Sequence, residues 1–123
     1  MSFHWESPVF LDEADQNGLL QPSRFVLHLE RAQAALHASM GLDRTSDLTF
    51  VVKELHVEFG AVVTVPGVLP VEITAERIGS TSARYGFRCG HHASGYRVIV
   101  KVGPDGRPAE WSEWYRTAFE GLR

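Results

Sequence analysis

Apolar and polar residues alternate at the start of the chain, where Phe3, Trp5, Val9 and Leu11 occupy odd positions. A period of two predicts a half-buried strand. Pro8 within it predicts an edge or an irregularity, because proline cannot donate to an interior ladder. Gly18 then punctuates a loop. From Pro22 to Met40 the period changes: Phe25, Leu29, Ala32, Leu36 and Met40 recur at spacings of four, three, four and four. This predicts one central helix of about five turns. Pro22 suits its first turn and Gly41 its stop. The alanines at 32, 34, 35 and 38 leave a slim face that a sheet can approach closely.

After a polar link, Asp43 to Asp47, the pattern returns to β-type residues. Leu48 to Phe59 reads as a long strand. Its apolar parity is even at Leu48, Phe50 and Val52 but odd at Leu55, Val57 and Phe59, which predicts a bulge near Lys53 and Glu54. Val68 to Arg77 places Leu69, Val71, Ile73 and Ala75 on one face. Ala83, Tyr85, Phe87 and Cys89 follow on the next strand, across a hairpin loop Ile78-Gly79-Ser80-Thr81-Ser82. Keeping the apolar faces together sets Glu76 opposite Arg84 and Glu72 opposite Arg88, both stabilising cross-strand pairs. Tyr96 to Val102 is expected to be a strand with Val98 and Val100 inward, closed by the turn Gly103-Pro104-Asp105-Gly106. Trp111, Trp114, Tyr115, Ala118 and Leu122 have helical spacing and predict a short amphipathic helix. The expected architecture is α+β: an antiparallel sheet of about five strands with a single long helix covering one face.

Composition narrows the class. With 123 residues, 44% of them hydrophobic, the chain suits a single domain, 1–123, with a real core. A net charge of −3 and the lack of any Lys or Arg run argue against nucleic acid or an anionic membrane surface as main partner. The single Cys89 rules out an intramolecular disulfide and fits a reducing compartment. With no leader-like or bilayer-length apolar run, a cytoplasmic location is expected.

The acidic stretch Asp12-Glu13-Ala14-Asp15-Gln16-Asn17-Gly18 runs straight into the helix start, Gln21-Pro22-Ser23. A carboxylate beside a helix N-terminus places a base next to unpaired N–H donors, an arrangement suited to chemistry on a carbonyl group. The same residues also describe a solvated loop before an ordinary helix. The histidines do not suggest a metal centre: His28 and His37 fall on opposite helix faces, and His91 and His92 are adjacent on what would be one strand. Cys89 has inward parity and reads as a small buried hydrophobe.

A strand, an acidic loop with Asp15 and Gly18, a long helix with Phe25 and Glu30-Arg31-Ala32, and a meander carrying Ile78-Gly79-Ser80-Thr81-Ser82 together resemble the hotdog fold, specifically acyl-CoA thioesterases of the 4-hydroxybenzoyl-CoA thioesterase type. The resemblance covers almost the whole chain. It implies a sheet wrapped around the central helix, a homodimer or homotetramer with the site between subunits, and an acyl thioester of coenzyme A or acyl-carrier protein as substrate. Coenzyme A then enters as part of the substrate, with no separate cofactor and no metal. By position, Asp15 is the catalytic carboxylate, acting as general base or nucleophile. Gly18 and Leu19, Pro22 and Ser23 lie where the oxyanion is held, and Phe25 and Glu30 match helix positions near the acyl pocket. Glu30 equally suits a structural pairing with an arginine. A thioester needs little apparatus, since its leaving thiol has a pKa near ~8.5 and can depart as thiolate.

The sequence departs from that family's pattern at the helix start. The position whose N–H some members use is Pro22, which has none, so Ser23, or Gly18 and Leu19, must supply the donor. Gln21 and Arg24 replace an aromatic and a small polar residue, and the strand connection reads Val62-Val63-Thr64-Val65-Pro66-Gly67. By the expected parities Arg84, Arg88, Arg97 and Lys101 share the outer face, as a stripe for coenzyme A phosphates or as solvated partners of Glu72 and Glu76. A hotdog module that binds thioesters or a protein partner without hydrolysis is the alternative function. A related hydratase lacks its expected Asp and His pairing in one loop.

Overall fold

The computed structural model describes residues 1–41, 47 and 49–123. Its strands are β1 (Phe3–Val9), β2 (Phe50–Phe59), β3 (Gly67–Ile78), β4 (Ser82–Cys89) and β5 (Ala93–Lys101), and its helices are α1 (Pro22–Ser39) and α2 (Glu113–Leu122). The strands form one antiparallel sheet in the order β1-β3-β4-β5-β2. Both edges thus flank α1 in sequence, since β1 precedes the helix and β2 follows it.

Helix α1 keeps its predicted stripe, with Phe25, Leu29, Ala32 and Leu36 buried against Leu69, Val71, Ile73, Tyr85 and Phe87 of the sheet. Of the four alanines only Ala32 is fully buried; Gln33 and His37 fill the flank beside it. Gly41 takes φ +75° past the helix end, a conformation costly for any residue with a Cβ. Edge strand β1 admits Pro8, which pairs with Val68. The expected parity holds at Val9 but not at Trp5, 38% exposed on edge strand β1, nor at Leu11, which lies in a 3-10 turn (Leu11–Glu13) and is 71% exposed. The turn breaks the alternation that the strand would have continued.

Strand β2 shows the expected irregularity, a register shift between Val52 and Glu54 against β5. Leu48 and most of the polar link, at 42–46, lie outside the described residues. In the β3–β4 hairpin, Arg84 reaches Glu76 at 3.0 Å across a register shift between Ala75 and Arg77. Glu72 stands opposite Arg88 as expected, but its carboxylate turns to His4 Nε2 at 3.2 Å. Neighbouring β1 brings that imidazole closer than the cross-strand arginine.

The parity of β5 is the reverse of the one expected. Arg97, Ile99 and Lys101 are buried, while Val98 and Val100 are half-buried on the other face. The register decides this, because Arg97 stands beside buried Tyr85, and Ile99 beside buried Ala83. Hydropathy pointed the other way because the outer face of this strand is itself apolar. The buried cations are matched by acids: Arg97 Nη2 lies 2.9 Å from Glu30 Oε1, and Lys101 Nζ lies 2.9 Å from Asp47 Oδ1.

The tail helix docks through Trp111, Tyr115 and Phe119, not through Trp114, which is 61% exposed and donates its Nε1 hydrogen to the Met40 carbonyl at 3.0 Å. Ser112 caps α2 and donates its hydroxyl to buried Asp47 at 2.6 Å. The hydroxyls of Tyr85 and Tyr115 meet at 2.5 Å and tie α2 to β4.

Candidate active site

The acidic stretch folds into a small clasp at the start of α1. The Asp15 N–H donates to Leu19 O at 2.7 Å, and Gly18 N–H returns to Asp15 O at 3.1 Å. Gly18 holds φ +76°, which makes the reversal cheap for glycine alone. Oδ1 of Asp15 accepts the Asn17 N–H at 2.7 Å and the Leu19 N–H at 3.0 Å. The side chain is thereby pinned through one oxygen, and no hydrogen bond among the described residues engages Oδ2. The clasp is fastened to the strand connection by Leu20 N–H to Val63 O at 2.9 Å and Val65 N–H to Gly18 O at 3.1 Å.

Half-buried Asp15 lines a cleft of about 230 Å³ with Leu19, Pro22, Phe25, Phe59 and His92. Phe25 presents its ring edge-on to Phe59, centroids 5.4 Å apart. Among the sequence-predicted residues, Asp15, Leu19, Pro22 and Phe25 therefore meet at one place. Gly18 shapes the loop without lining the cleft, and Ser23 is exposed at the second helical position. The N–H groups of Arg24 and Phe25 both go to Gln21 O, and Pro22 has none, so Ser23 carries the free N–H of this first turn. Leu19 N–H is already held by Asp15.

Glu30 does not enter the cleft; its partner is Arg97, as its second reading allowed. The four cations expected on one stripe are divided between the two faces. Arg97 and Lys101 are buried on the helix side, Arg88 is exposed, and Arg84 lies 3.7 Å above the Tyr96 ring on the outer side. No single anion contacts all four across the thickness of the sheet.

Sequence reasoning also missed a buried relay directly beneath the clasp. Glu13, at 3% exposure, accepts from His28 Nε2 at 2.6 Å through Oε1 and from the Phe10 N–H at 2.7 Å through Oε2. His28 Nδ1 closes on the Ser7 hydroxyl, and both residues are fully buried. Burial opposes the Glu13 charge, but the Phe10 N–H and His28 outweigh it and hold the carboxyl below its usual value. The Glu13 carbonyl meanwhile accepts the Gln21 N–H at 3.1 Å, so one residue anchors both ends of the loop. A histidine beside the apolar stripe of α1 was the available signal. His92 was passed over because it was weighed only for a metal site, which its adjacency to His91 argued against. Cys89 is fully buried, and desolvation pushes its thiol up to about 12, which leaves it unreactive.

A five-stranded antiparallel sheet in this order, packed on one long helix, is the hotdog fold. The chain is similar to a candidate thioesterase from Pseudomonas aeruginosa, with 22% identity over 94% of this chain and 95% of that one and a TM-score of 0.84. A 1,4-dihydroxy-2-naphthoyl-CoA thioesterase from Synechocystis matches at 17% identity over 99% and 98%, with a TM-score of 0.83. A hypothetical protein from Staphylococcus aureus, solved in complex with CoA, matches at 11% identity over 99% and 84%, with a TM-score of 0.89. No protein-family model and no curated protein matches the chain. At these identities the likeness establishes the fold.

Proposed function

We propose that this chain is an acyl-CoA thioesterase of the 4-hydroxybenzoyl-CoA thioesterase type, hydrolysing an acyl thioester to the free acid and coenzyme A in the cytoplasm. The observation that carries this reading is Asp15, held by two N–H donors through Oδ1 and facing an apolar cleft with Oδ2 unengaged among the described residues. Phe25, Leu19 and Phe59 offer walls for an acyl group, and Ser23 offers an N–H at the positive end of α1. The named activities of two fold neighbours and the CoA bound to a third support the substrate class. Arg84 and Arg88 remain as phosphate contacts on the outer face; Arg97 and Lys101 take structural roles.

The same reading makes the working unit at least a homodimer with the cleft at the subunit boundary. Edge strand β2 leaves apolar side chains exposed on both faces, Val51 on the outer one and Val52, Leu55 and Phe59 on the inner one, beside an unpaired ladder. Incubation with a panel of acyl-CoA and acyl-carrier-protein thioesters, with a thiol reagent as readout, tests the activity. Thiol release on at least one member is expected. Saturable binding without release on any member would favour a thioester-binding module instead, a reading that rests on Pro22 standing where an N–H donor is wanted.

A further inference from the structure

We propose that His92 is a second catalytic residue of this cleft, its Nε2 taking the proton from the water that releases the acyl group. The inference rests on the thioesterase reading and divides the chemistry between two residues. Asp15 and His92 are the titratable side chains among those lining the cleft. His92 is delivered there by a staple between the end of β2 and the β4–β5 hairpin: Gly60 N–H donates to His92 O at 2.8 Å and Ala61 N–H to His91 O at 2.8 Å. A Cβ on Gly60 would fall 2.4 Å from His91 O, so the approach requires glycine there.

The imidazole orientation follows from its partner. His92 Nδ1 lies 3.0 Å from Ala61 O, and a carbonyl oxygen only accepts, so Nδ1 carries the hydrogen. In the neutral ring that leaves the lone pair on Nε2. The geometry divides the roles: Asp15, held through Oδ1, presents its carboxylate as the nucleophile, and His92, bonded through Nδ1, presents the Nε2 lone pair as the base.

In the first step Asp15 Oδ2 attacks the thioester carbonyl carbon, the carbon–sulfur bond breaks with its electron pair on sulfur, and the thiolate leaves an acyl–Asp15 anhydride. In the second step water attacks the acyl carbon and its proton passes to Nε2. The bond from the acyl carbon to the Asp15 oxygen breaks, and its electron pair restores the carboxylate. The imidazolium then returns its proton to solvent, where the thiolate takes it up. The sum is water and thioester to acid and thiol.

His92→Asn provides the test, because its amide N–H occupies the place of Nδ1 and keeps the Ala61 bond while nothing replaces Nε2. His92→Ala removes both groups, and thermal melting of each variant monitors the staple. Should His92→Ala fail to fold, His92→Asn carries the test. With the best thioester of the panel, rapid mixing of His92→Asn should give a burst of about one thiol per site. Turnover should then be slower than wild type by roughly 10² to 10³, with an acyl adduct on the Asp15 peptide by mass spectrometry. Wild-type turnover in His92→Asn overturns the proposal, as does slow turnover with neither burst nor adduct. Either result leaves the thioesterase reading standing, whereas a wild-type protein that turns over no thioester overturns both.

Discussion

Glu13 Oε1 lies 2.6 Å from His28 Nε2, between two side chains that solvent barely touches. One carboxylate of the acidic stretch is thus a buried support joining the loop to α1. Glu13→Gln keeps the shape but removes the charge that Phe10 N–H and His28 satisfy, and should cost about 1–3 kcal/mol by denaturant unfolding. Its folded carboxyl lies below the ordinary value, so its contribution is present above about 4.5 and is lost as pH falls through the folded value. Glu13→Gln should remove that acid-side loss, and an unchanged pH profile of stability would contradict the assignment.

Asp15 and Asp12 form the cleaner contrast in the same loop, since Asp12 is exposed and outside the cleft. Asp15→Asn should lower turnover by roughly 10² to 10⁴ while thioester binding survives. Asp12→Asn should stay within about twofold of wild type. Near-normal hydrolysis by a folded Asp15→Asn protein would remove this carboxylate from the mechanism.

Arg97 is a buried cation whose Nε and Nη1 lack hydrogen-bond partners among the described residues, while Glu30, its counter-ion, is 45% exposed. Removing the arginine leaves a carboxylate that water can solvate, unlike the usual case of an abandoned buried charge. Arg97→Met should therefore be no more than about 1 kcal/mol less stable than wild type, and a large loss would mean that the cation is better satisfied than its geometry shows.

His37 is nearly fully buried, and desolvation, aided by the Arg97 charge, lowers its value to about 4. The unfolded chain binds that proton more readily, so stability should fall as pH drops from about 6.5 to about 4. In His37→Gln this part of the stability curve should flatten. Equal slopes in the two proteins would show that another group carries the acid sensitivity.

Val51, 50% exposed on edge strand β2, tests the assembly. Light scattering of the wild type should report at least a dimer at micromolar concentration, and Val51→Lys should shift it toward monomer by placing a charge on the edge. A wild-type monomer would exclude an interface site.

The local pattern of this chain carried most of its architecture. The period of α1, the bulge near Lys53 and Glu54, the alternation of β3 and β4 and the turns at Gly41 and Gly106 depend on neighbours a few residues away, and such short-range chemistry is written directly in residue order. The position of Asp15 before the helix was legible for the same reason. Tertiary structure decided which face of β5 is inner: that face carries Arg97 and Lys101 while the outer one carries Val98 and Val100, so local hydropathy points the wrong way and the register with Tyr85 and Ala83 overrides it. It also decided that Glu13 pairs with His28 and Ser7, and that His92 shares a cleft with Asp15. Those meetings join residues far apart in the chain whose polar side chains are costly to bury singly and become tolerable only once folding supplies the partner.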